Sequence, residues 1–150
     1  MIGNTVGNVL PEPVTYSQVV KLLKRTDRTV VMAKPGEPVM CTIPGGFVIM
    51  TISGDGALLS VSTQHLEMPL ARKDTLKLYE WMANFNATST FAIASADIMY
   101  DLEIAFPTFS YWFAIEHGAT AAQLEAWILP CLNEQEQGLQ ELLRYLHVSV

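Results

Sequence analysis

Two helix-start signatures, one near each end of the chain, enclose a run of short β-type segments. This arrangement narrows the fold more than any other feature. Thr15 is followed three residues later by Gln18, and Thr120 by Gln123. In such a capping box the threonine hydroxyl accepts from one free amide of the first turn, and the glutamine reaches back to another. Val14 before the first cap and Val19 after it can pack as a hydrophobic staple. Val19, Val20, Leu22 and Leu23 give that helix an apolar face, and it is predicted to end near Thr26 or Asp27. After Thr120 the residues Leu124, Trp127, Ile128, Cys131, Leu132, Leu139, Leu142, Leu143 and Leu146 form a long stripe at helical period. Pro130 lies inside this stripe and is expected to bend the helix by removing the bond to Ala126. Gly138 is expected to soften it further.

Between the caps, Thr29 to Ala33, Val39 to Ile43, Phe47 to Ile52 and Leu58 to Glu67 read as strands. Pro35-Gly36, Pro44-Gly45-Gly46 and Gly54-Asp55-Gly56 separate them with turn chemistry, and Pro69 closes the region. A second helix is predicted from about Ala71 to Phe85, then strands over Phe91 to Asp97 and Asp101 to Ile115. Pro107 marks a bulge or an edge in the last strand, because proline donates nothing to a ladder. Asn84 and Asn86 are read as the residues that end the second helix and turn the chain into sheet, since asparagine tolerates left-handed backbone. Hairpin-length links imply an antiparallel sheet. The expected fold is α+β: about five antiparallel strands with three helices, in the order α-β-β-β-α-β-β-α. Residues 1–13 are read as a flexible N-terminal arm and residues 14–150 as a single domain.

Of the 150 residues, 50% are hydrophobic and 16% charged, which argues against disorder. No apolar run reaches the length of a membrane span. Nine basic against fifteen acidic residues give a net charge of −6, so a phosphate backbone is repelled and nucleic acid is not an expected partner. The densest basic group, Lys21, Lys24, Arg25 and Arg28, reads as the solvated end of a helix. MIGNTVGNVLPEP lacks a basic start and has too short an apolar stretch for a signal peptide, which points to a cytoplasmic protein. Cys41 and Cys131 are then expected as reduced, buried thiols, and Asn86-Ala87-Thr88 is a glycosylation sequon only formally.

Chemistry finds little support. Gly54-x-Gly56 is followed by a strand rather than a helix, so it is no phosphate cradle. His65, His117 and His147 are scattered, and no metal or other cofactor is expected. Ser53, Ser60, Ser62, Ser95 and Ser110 occur in no nucleophile elbow. Asp97, Asp101 and Glu103 read as solvated turn residues. The chain is read as a non-enzyme.

What remains is apolar surface. Along Phe47–Ile52 one side carries Phe47, Ile49 and Thr51, the other Val48, Met50 and Ile52. The last strand sets Phe109, Tyr111, Phe113 and Ile115 against Ser110, Trp112, Ala114 and Glu116. Both sides of the sheet are thus apolar in part. Either helices lie on both faces, or three helices cover one and the other needs a subunit, a client protein or the N-terminal arm.

The stretch from Met68 to Leu146 resembles the YbjN domain family of bacterial proteins. LKLYEWMANFNATS, two apolar strands and HGATAAQLEAWI carry the resemblance, with Asn84, Asn86, Gly118, Thr120, Gln123 and Leu124 at the family's patterned positions. Phe85 before the second asparagine and Pro130 in the last helix depart from that pattern. The resemblance implies a fold like that of class I type III secretion chaperones, often dimeric, and a role in sensory transduction or stress-linked regulation. It supplies no catalytic residues. The expected function is a protein-binding module, regulatory or chaperone-like, whose apolar sheet face accepts a segment of a partner or client, a homodimer included. Val48, Met50, Ile52 and Trp112 are the expected contact residues. One alternative is a dedicated secretion chaperone for a single client. Another is a small-ligand or enzymatic use of the sheet, which requires His65, Glu67 and Asp97 to converge.

Overall fold

The computed structural model describes residues 10–32 and 34–148. The elements run α1 (Tyr16–Leu23), β1 (Thr29–Met32), β2 (Val39–Ile43), β3 (Gly46–Ser53), β4 (Leu58–Gln64), β5 (Met68–Pro69), α2 (Thr75–Thr88), β6 (Ile93–Met99), β7 (Ile104–Ala114) and α3 (Ala121–Tyr145). Every strand pairing is antiparallel. The sheet has seven strands, two more than expected. Strand β1 corresponds to the segment read over Thr29 to Ala33, and the strand with no counterpart in the sequence reading is the two-residue β5, formed where Pro69 was expected to close the β region. Strands β1, β2, β3, β4 and β7 lie side by side. Strand β6 covers the far side of β7, and β5 continues the β4 side.

Both capping boxes form. The Thr15 and Thr120 hydroxyls accept from the Gln18 and Gln123 amides, and each glutamine accepts from its threonine N–H. Val14 and Val19 are buried beside the first box. Residues 1–9 of the expected arm lie outside the described residues. Within its last part, Glu12 exchanges two backbone hydrogen bonds with Ala119, at 3.2 and 2.9 Å. Helix α3 runs unbroken through Pro130. Gly138 has a packing role: a Cβ there would come within 2.9 Å of the Phe85 and Phe109 rings.

All three helices pack on one face of the sheet. Phe109 of β7 meets Phe85 of α2, Phe113 of β7 stacks on Trp127 of α3, and α1 packs against α3, β1 and β2. This covered face holds the core, including Val48, Met50, Leu59, Val61 and Phe109. One polar pair is fully buried in it. Thr63 Oγ1 donates to Gln135 Oε1 (2.8 Å), and Gln135 Nε2 donates to the carbonyls of Val61 (3.1 Å) and Phe91 (3.3 Å). Gln135 thereby fixes the height and register of α3 over β4 and the chain entering β6. Both cysteines lie in this layer, and burial pushes the Cys41 thiol up to about 11 and that of Cys131 to about 12.

Two side chains finish strands that run past their neighbours. The Tyr16 hydroxyl accepts from the Ile52 N–H (2.9 Å) and donates to its carbonyl (3.3 Å), beyond the last β2–β3 pair. Asn86 does the same on the outer edge of β6: Ala94 N–H donates to Oδ1 (2.7 Å), and Nδ2 donates to the Ala94 carbonyl (3.0 Å). The expected role of the asparagines is therefore corrected. Helix α2 continues through Asn84 and Asn86 to Thr88, and Ser89, in extended conformation, makes the exit. A side-chain amide carries the same donor and acceptor as a peptide group, so Asn86 stands in for a missing strand at an edge that would otherwise stay unpaired.

Candidate docking face

Among the described residues, no helix lies on the opposite face of the sheet. Its side chains follow from the register. One row across the strands is Thr42, Phe47, Gln64, Thr108 and Ser95. The next is Met40, Ile49, Ser62, Ser110 and Ile93, and a third is Thr51, Ser60 and Trp112. No charged residue stands in these rows. Asp97, opposite Phe106, is the one charge on this face among the described strand residues.

The middle strands β4 and β7 contribute small hydroxyls at Ser60, Ser62, Thr108 and Ser110, and the flanking strands, with Trp112 of β7, contribute bulk. The hydroxyls are largely spent on one another. Ser62 and Ser110 share a hydrogen bond (3.2 Å), Gln64 Nε2 donates to Ser62 (3.1 Å), and Ser60 donates to the Thr51 carbonyl (3.4 Å). This leaves a shallow, uncharged trough between Met40, Phe47 and Ile49 on one side and Trp112 and Ile93 on the other. Trp112 and Ile93 are each 52% exposed. Isolated exposed apolar residues are ordinary, but a contiguous uncharged patch of them is not.

The expected contact residues divide between the faces. Trp112 stands on the open face. Val48 and Met50 point to the covered face at 0% exposure, and Ile52 follows them, packed against the core. A partner cannot touch Val48 or Met50 without lifting α3. The correction has a simple cause. Strand β3 is apolar on both sides, and what selects the buried side is the α3 stripe meeting Thr63, which lies opposite Val48. The open-face residues missed are Phe47 and Ile49, the other half of the same alternation.

The residues required for a ligand-binding site do not converge. His65 and Glu67 line one hollow beside the trough, Asp97 is absent from its walls, and no hydrogen bond or ion pair joins the three. Burial lowers the His65 imidazole pKa, and its Nδ1 is shielded without a hydrogen-bond partner among the described residues. Among the described residues, no group of three or more His, Cys, Asp or Glu side chains is placed to hold a metal ion. No described helix is long and apolar enough to cross a membrane.

The crystal structure of YbjN from E. coli, described as a candidate transcription regulator, matches with a TM-score of 0.71. The match covers 91% of this chain and 96% of that one, at 12% sequence identity. The fold is YbjN-like. No family model matches the sequence, and no curated protein is similar to it in sequence. The YbjN-like fold here comprises the helix-covered sheet, the two capped helices and the amide-plugged edge of β6.

Proposed function

We propose that this chain is a non-enzymatic protein-binding module of regulatory or chaperone-like type, and that the open sheet face is where it meets its partner. The observation that supports this reading most is how little charge the face carries, with none in its three central rows. A chain with fifteen acidic and nine basic residues keeps all of them out of the three rows that centre on Ser62 and Ser110. A surface with no role in association has no reason to exclude charge, whereas the buried centre of an interface does. Trp112, Ile49 and Phe47 are the anchors, since bulky and aromatic side chains carry much of the energy of protein interfaces.

The test is a double variant, Ile49→Asp with Trp112→Ala. It is expected to keep the circular dichroism and melting behaviour of the parent while losing the partner that the parent captures. Sedimentation of both forms tells a second copy of the chain from a different protein. A monomeric parent that captures nothing, or a double variant that captures as well as the parent, overturns the proposal.

A further inference from the structure

The trough ends, beyond Thr42 and Phe47, in a hollow of about 900 Å3. Sheet geometry makes it. From Gln64 to Met68 the chain takes four steps while its partner β7 takes three, from Thr108 to Ala105. The surplus residue lies opposite Pro107, whose carbonyl accepts from His65 N–H and whose ring nitrogen has nothing to donate to that side. Residues 65–67 are thrown outward, and Leu66 stands 70% exposed at the lip. Gly46 borders the hollow with its backbone, and a Cβ there would overlap the Gln64 carbonyl oxygen and press on Leu139 of α3, so β3 and β4 stay close at this end.

The walls are apolar, formed by Met40, Phe47, Leu66 and Phe106. The charge around them has one sign. Glu67 is in the wall, and Asp97 stands opposite Phe106 in the register. Among the described residues, neither carboxylate has an ion-pair partner and no lysine or arginine lines the hollow. Thr42 and Phe47 belong to the hollow and to the first row of the open face alike. Whatever fills the hollow therefore continues onto the trough, which suits a polymer better than a compact molecule.

On the reading that the open face receives a protein, we infer that this hollow anchors the incoming segment, and that the anchor is a large apolar side chain with a Lys or Arg close beside it in sequence. The apolar side chain fills the space between Phe47 and Phe106. The cation meets Glu67 in the wall, Asp97 beside Phe106 adds to the same negative field, and an acidic segment is turned away by it.

The experiment uses the full chain, 15N-labelled, and three capped peptides, Ser-X-Phe-Leu-X-Ser, in which X is Lys, Gln or Glu. The Lys peptide is expected to shift the amide resonances of Gly45, Gly46, Leu66 and Glu67. It should bind about threefold more tightly than the Gln peptide, the scale of an exposed ion pair, and the Glu peptide more weakly still. Glu67→Gln combined with Asp97→Asn should abolish this ranking and leave binding of the Gln peptide unchanged. Leu66→Asp should weaken all three peptides.

Three results overturn the inference: equal affinity of the peptides, shifts that avoid the hollow, or concentration-dependent shifts of the same residues without peptide, which would make a second copy the occupant. If these peptides fail while the Ile49 and Trp112 double variant still loses a captured partner, the docking face stands and the anchor chemistry alone is wrong.

Discussion

The two faces of the β3–β4–β7 sheet are made from the same strands and differ in what lies over them. On the covered face, Val48, Met50, Leu59, Val61 and Phe109 vanish beneath the helices, and the polar groups there are matched one by one through Gln135. On the open face, Phe47 and Ile49 alternate with those same core residues yet remain half-buried, and the serines satisfy one another. Hydrophobicity alone does not separate a core from a docking surface. The separation comes from the layer that packs, and the open face keeps its apolar residues diluted with neutral hydroxyls.

The sharpest way to break this contrast is to place one carboxylate on each face at neighbouring positions. Met50→Asp buries an unpaired charge and is expected to cost more than about 4 kcal/mol. Ile49→Asp, one residue away, is expected to stay within about 1 kcal/mol, because solvent reaches that face. Urea unfolding of the two variants measures the gap, and equal losses would mean that the open face is covered in solution.

A smaller contrast concerns polar groups. Gln135→Ala leaves Thr63 and two buried carbonyls without their partner and opens a cavity, at an expected cost of roughly 2–4 kcal/mol. Ser110→Ala on the open face removes one partly solvated hydroxyl pair and is expected to cost less than about 1 kcal/mol. Comparable losses would show that the open-face hydroxyls are as structural as the buried pair.

The smallest effect is one of pH, at the margin between the faces. Burial holds the His65 pKa below its ordinary value of 6.5, so below that pH the unfolded chain binds the proton more readily than the folded one. The stability from neutral His65 is complete above about pH 6.5 and is lost as the pH falls through the depressed folded value. Melting temperatures between pH 7.5 and 5 should fall for the parent, with a shallower slope for His65→Gln. An unchanged slope would remove His65 from the account.

Local signals were legible where local chemistry decides. The capping boxes at Thr15 and Thr120, the Gly54-Asp55-Gly56 turn and the segments of β2 and β3 are fixed by residues close in sequence. Pro107 was readable as an irregularity, although the extra residue proved to lie on the strand opposite. The open face was half legible: the double-sided apolar pattern left helices on both faces or an open face as alternatives, and of the expected contact residues Trp112 stands exposed while Val48 and Met50 do not. Other positions needed partners distant in the chain. Asn86 reads as a helix terminator until Ala94 takes both ends of its amide, and Gly138 reads as a flaw in α3 until Phe85 and Phe109 come to lie over it.

The amino-acid order by itself determined the α+β class, the two capped helices and strands that are apolar in part on both sides. Tertiary structure alone decided which side of β3 was sheltered, where the edge of β6 was plugged and that His65 and Glu67 would border a hollow. The physical reason is that a strand alternating between two apolar sides is nearly symmetric under a flip. Only the fit of α3, with Gln135 aimed at Thr63, breaks that symmetry.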